Sequence, residues 1–198
     1  MGSKTVKVPI GMRSSYFAKI KTEPENAHPT YDSKVDMGAA VKGYVSITTA
    51  SGEIPGDDVI LMRSERFVSA QADVETTKSD LDLNSTCFGH TYDAESGEKS
   101  NVDDEPPLGA YAFIEPILDK TKKLTYRATF LYKVQAIASS EKTEADTKKN
   151  DFNPKMNAVS FFVMPDNTGD WRTRKEFDTE AAAESYIAGL FAATPQQV

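Results

Sequence analysis

The chain is poor in the groups from which small proteins build covalent or metal-held frameworks. One cysteine, Cys87, in 198 residues excludes an intramolecular disulfide, and a structural zinc site would need more sulfur or histidine ligands close by. The only histidines, His28 and His90, lie far apart in sequence. No apolar run approaches the roughly 18 residues of a membrane-spanning helix, and residues 1–10 lack the apolar core of a signal peptide. The chain is therefore expected to stay in the compartment where it is made, without membrane insertion. A Gly-rich phosphate loop, an HExxH pair and a CxxC pair are all missing.

The residues that could support chemistry do not assemble into a recognisable site. Cys87 and His90 are three positions apart with no strained nucleophile turn around the cysteine, so a nucleophile–base pair is unsupported. Cys87 reads as a small buried residue beside Phe88. His90 reads as a turn or packing residue, and His28, in a loop with Pro24 and Pro29, as a solvated one. Asp93 opens a stretch that superficially resembles a calcium loop. The glycine required at its sixth position comes one place early, at Gly97, and the twelfth position is Asp104 rather than glutamate. A solvated acidic turn is expected there. No catalytic residue, cofactor or metal is expected, and the chain does not read as an enzyme.

Positive charge is scarce in the middle of the chain. Residues 73–105 hold ten acids against Lys78 and Lys99, while the whole chain carries −7, so the remainder is close to neutral. Binding to nucleic-acid phosphates needs the opposite sign. An acidic surface instead suits a wall past which DNA must slide.

What is present is β periodicity. Residues 16–21 and 41–49 alternate apolar and polar, and residues 109–118 and 124–137 are the clearest strands, joined by the polar turn 119–123 as an antiparallel hairpin. Residues 59–62 are a short apolar run, 68–76 alternate weakly, 158–164 read as a buried strand ended by Pro165, and 171–177 alternate with basic residues. Residues 22–36 and 49–71 read as extended loops, the second containing Gly52, Pro55 and Gly56. One helix is expected at 179–192. Asp178 and Thr179 are N-cap types, and Ala183, Tyr186, Ile187, Leu190 and Phe191 make an apolar stripe. The composition is that of one mainly β domain over residues 1–198, antiparallel, with a single helix near the C-terminus. Among the aromatics, Trp171 stands beside a turn and before Arg172, Arg174 and Lys175, where it could anchor a subunit interface.

Four segments in order carry a resemblance. They are Gly89-His90-Thr91-Tyr92-Asp93 with the turn Glu95-Ser96-Gly97 and the acids after it; Tyr126-Arg127-Ala128 followed by Leu131, Lys133 and Val134; Asn167-Thr168-Gly169-Asp170-Trp171; and Phe177-Asp178-Thr179 leading into Ala181-Ala182-Ala183. Over residues 67–191 the chain resembles the major tail proteins, or tail tube proteins, of long-tailed phages and related prophages. It departs from them at Cys87-Phe88, where the family has a Leu-rich segment. The resemblance implies an antiparallel β-sandwich or barrel with a flanking helix, six copies closing into a ring, and rings stacking into a hollow tube in the virion after assembly in the host bacterial cytoplasm; it leans towards a non-contractile tail and leaves a contractile sheath open. The implied partners are further copies of the chain, a tape-measure protein, tail terminator and distal tail proteins, and double-stranded DNA in transit without specific binding.

Within that picture the loops 49–71 and 22–36 are the expected inter-ring protrusions. Ile54, Asp57, Asp58, Arg63, Arg66, Trp171 and Arg172 are the candidate interface residues, and Asp73, Glu75, Asp80 and Asp82 the candidate lumen-facing acids. The competing reading is a monomeric β-sandwich module of a phage particle that binds carbohydrate or a host surface.

Overall fold

The computed structural model describes residues 6–56, 59–141 and 156–193. In chain order it contains β1 (Lys7–Pro9), β2 (Arg13–Thr22), β3 (Thr30–Tyr31), β4 (Val35–Asp36), β5 (Ala40–Gly56) and β6 (Val59–Thr76). Helix α1 (Leu81–Phe88), β7 (Thr91–Asp93) and β8 (Gly97–Lys99) follow. The chain then runs through β9 (Leu108–Asp119), β10 (Leu124–Ala136), a 3₁₀ turn (Ala138–Ser140), β11 (Asn157–Met164), β12 (Arg172–Phe177) and α2 (Glu180–Ala192). The protein is mainly β, with one large antiparallel sheet in the order β3-β2-β9-β10-β11-β6-β5. Strands β1, β4 and β12 branch from it, and β7–β8 stands apart as a small hairpin.

The β9–β10 hairpin is the centre of the sheet and arises where the alternation predicts it. Its turn is closed by Asp119, whose Oδ1 accepts the backbone N–H of Thr121 at 2.7 Å and of Lys123 at 2.9 Å. Strand β9 is buried on both faces. Tyr111 and Phe113 point into one core, while Ala110, Ala112 and Ile114 point into another.

The first core lies where the sheet bends over on itself. Phe17 of β2, Tyr111 of β9 and Phe161 of β11 stack there at 5.1–5.5 Å between ring centroids, with Ala70, Ala72 and Val74 of β6 against them. The bend has a visible cause. Leu131 and Val134 of β10 both face this core although they are three residues apart, because the register slips by one residue between them. Such a bulge re-aims a strand. Before it, β10 pairs with β12; after it, with β11.

The second core is roofed by α2. Ala183, Ile187 and Phe191 follow the i, i+4, i+8 spacing and are buried against Ala18, Ala110, Ala112, Ala128 and Phe130. The alanines on the sheet let the helix approach closely. Thr179 caps the helix by accepting the Ala182 N–H at 3.3 Å.

Three expectations need correction. A second helix, α1, exists; its sequence LDLNSTCF has no apolar stripe, and it holds through burial of Leu83, Cys87 and Phe88. Residues 49–71 are not a loop but the outer part of the β5–β6 hairpin, paired from Thr49↔Phe67 out to Gly56↔Val59. Pro55 is tolerated because it sits on a strand that pairs on one side only, next to a register shift. Residues 22–36 are a loop in part, but β3 and β4 within it add to β2.

Candidate assembly interface

The β5–β6 hairpin is anchored at its base and bare at its end. At the base, Ala70, Ala72 and Val74 are core residues. Phe67 stacks on Trp171 with centroids 4.5 Å apart and planes 9° from parallel, and the Arg172 guanidinium lies over the Trp171 ring at 4.2 Å from its centroid. Beyond Phe67, every residue whose side chain is described is exposed. Seven residue rises of about 3.3 Å carry this arm roughly 23 Å past its root.

Among the described residues, the end of the arm is apolar. Ile54, Val59, Ile60, Leu61 and Met62 are 57–68% exposed. Ile54 opposes Met62 and Pro55 opposes Ile60, which leaves Leu61 unpaired at the register shift. The charged residues sit nearer the middle: Arg63 opposes Glu53 and donates to Glu65 at 2.5 Å. Along its outer side β5 hydrogen-bonds to no other described strand, so alternate residues of this 17-residue strand present a row of open backbone groups.

The expected interface residues divide accordingly. Ile54, Arg63 and Arg66 lie on the arm. Asp57 and Asp58 lie outside the described residues. Trp171 and Arg172 are at its root, with the Trp171 ring already packed on Phe67 in its own chain. The exposure of Ile54's neighbours is not legible in the sequence. Residues 59–62 show as an apolar run, but nothing in a run of four says that all of it faces out.

The four expected lumen acids do not form one group. Asp73 and Glu75 share a side of β6, opposite Tyr44 and Lys42 of β5 and opposite Ser160 and Ala158 of β11. Partial burial works against the Asp73 charge, yet the Ser160 hydroxyl and the Gln71 amide donate to its Oδ1 and hold its carboxyl below the usual carboxylate range. Asp80 and Asp82 instead flank the start of α1, with Asp80 Oδ2 at 3.4 Å from Lys78.

Both histidines are held by carboxylates. His28, expected to be solvated, stacks on Tyr132 at 4.4 Å and lies 2.7 Å from the buried Asp166 carboxylate. His90 contacts Asp104 and Glu141. Cys87 is fully buried, and burial pushes its thiol up to about 12, which removes it from nucleophilic chemistry at neutral pH. No helix among the described residues is long and apolar enough to cross a membrane. No protein-family model and no curated protein matches this chain.

Proposed function

We propose that this protein is a structural subunit of a phage tail tube, which closes into six-membered rings that stack into a conduit for DNA. The observation that carries the reading is the β5–β6 arm. A two-stranded hairpin in water is marginally stable at best, and an exposed strand edge invites pairing with another chain. An arm about 23 Å long, ending in five exposed apolar side chains among its described residues and flanked by an open edge, fits a surface that is covered in an assembly.

Head-to-tail contacts close into a ring when the rotation between copies returns to its start. In such a ring the β5 edge pairs with the next copy, and the apolar tip reaches across to a neighbouring copy or ring. The outer side of β6 bearing Asp73 and Glu75 then faces the lumen, where negative charge keeps DNA from adhering. Tape-measure, terminator and distal tail proteins are the further partners of this reading, and the virion its location.

Negative-stain microscopy of concentrated protein, with sedimentation across a dilution series, tests the proposal. Rings of six or tubes are expected. A monomer of 21.7 kDa at every concentration, with tail partners added, would refute it and favour the monomeric binding module.

A further inference from the structure

Outside the arm, one cluster of side chains is left with a chemical deficit. His90 follows Gly89, which ends α1 in the left-handed region at φ +85° and donates its N–H to Ser85 O at 2.9 Å. A Cβ at Gly89 would come within 2.2 Å of the Glu105 carbonyl oxygen, so the helix end is pressed against the turn that carries Asp104. Asp104 Oδ2 accepts the Asn101 N–H at 2.8 Å and lies 2.8 Å from His90 Nδ1. That contact places the imidazole proton on Nδ1 and leaves the Nε2 lone pair facing outward from the turn.

Nε2 lies 3.1 Å from Glu141 Oε2, just past the 3₁₀ turn. Two acceptors at that distance require a proton or a cation between them. Glu98 of β8 brings a third ligand, and the donor atoms of His90, Glu98 and Glu141 all lie within 4.8 Å of one another. A proton on Nε2 would satisfy Glu141 but not Glu98, whose Oε1 is sealed from solvent and has no hydrogen-bond partner among the described residues. A buried carboxylate oxygen without a partner bears its desolvation uncompensated, and three carboxylates around one imidazole leave negative charge in excess even when the ring is protonated.

We propose that His90, Glu98 and Glu141 bind a divalent transition-metal ion, best matched by zinc, with Asp104 orienting the imidazole. One nitrogen and two carboxylate oxygens are a borderline donor set that suits zinc, whereas calcium and magnesium take oxygen ligands throughout. The 3.1 Å between Nε2 and Oε2 is about the separation of two ligands that each stand roughly 2.1 Å from a shared ion. Asp104 on the far imidazole nitrogen is the outer partner that ligating histidines ordinarily have. The ion would tie the end of α1, β8 and the turn before β9 to the segment that leaves β10. This site does not depend on the tube reading.

The test is titration of the untagged, chelator-stripped chain with zinc chloride by calorimetry, and with cobalt(II) by visible absorption. One ion per chain is expected, with a cobalt spectrum of nitrogen and oxygen ligands and no thiolate charge-transfer band. Glu98→Gln and Glu141→Gln should each weaken binding at least tenfold, His90→Gln should abolish it, and Asp104→Asn should weaken it about 10- to 100-fold. His28→Gln should leave it unchanged. Melting of every variant in chelator separates lost ligands from lost folding. Should a variant fail to fold, zinc-edge absorption of the wild-type chain reads the ligand set directly. No uptake by the wild-type chain at 100-fold excess zinc, or uptake unaffected by His90→Gln and Glu98→Gln, would overturn the proposal.

Discussion

Replacing Ile60 and Leu61 together with serine separates assembly from folding. In the single chain Ile60 is 60% and Leu61 68% exposed, so neither contributes much to the subunit's own core. If the arm tip is covered in the ring, that exposed share is what assembly removes from water. Full burial of such a side chain brings roughly 1.5–3 kcal/mol, so about two-thirds of that, near 1.5 kcal/mol per side chain, is at stake. The pair is then worth about 3 kcal/mol per contact, or roughly a hundredfold in the association constant at 1.4 kcal/mol per tenfold. Since every copy in a ring makes the contact, the concentration at which rings appear should rise by at least that factor. Analytical ultracentrifugation across the dilution series reads the threshold, and thermal melting of the dilute chain reads folding. The double variant should melt within about 1 °C of the parent while its assembly threshold moves. Unchanged assembly would show that the tip lies outside every contact and would remove the observation on which the tube reading rests.

Gly89→Ala should cost more than 1 kcal/mol in urea unfolding, because a left-handed φ and a 2.2 Å approach to the Glu105 carbonyl leave no room for a methyl group; a loss under half that would mean the turn yields freely. Thr179→Ala should cost about 1 kcal/mol by removing the cap on the Ala182 N–H, with the loss read by the same denaturation and an unchanged midpoint counting against it. His90 holds its proton more tightly folded than unfolded, chiefly through the hydrogen bond to Asp104 and against the opposing effect of burial. Its contribution is therefore fully present below its unfolded value of about 6.5 and is lost as pH rises through the folded one. In chelator-containing buffer the parent should lose stability over that window relative to His90→Gln; parallel melting profiles would refute the assignment.

The parts of the fold that could be read in the sequence are those whose order is written locally. The β9–β10 hairpin announces itself by alternation on both sides of Asp119-Lys120-Thr121-Lys122-Lys123, and α2 by Thr179 and the spacing of Ala183, Ile187 and Phe191. Helix α1 was not legible, because Asp82, Asn84, Ser85 and Thr86 are weak helix formers and the helix exists only through what Leu83, Cys87 and Phe88 pack against. The arm was obscured for the opposite reason. With both of its sides in solvent beyond Phe67, no alternation marks it, and Pro55 and Gly56 look like the end of a strand rather than its far tip. The His90 cluster gathers residues from positions 90, 98, 104 and 141 across three connections, and no spacing rule spans such separations.

Cys87 lies sealed on the buried side of α1, and this makes the chain a ready substrate for single-point labelling. A cysteine placed at Leu61 would be the one thiol that a maleimide dye can reach in the folded protein. A fluorophore there could follow each arm as it meets its neighbour, in real time and without first removing the native sulfur.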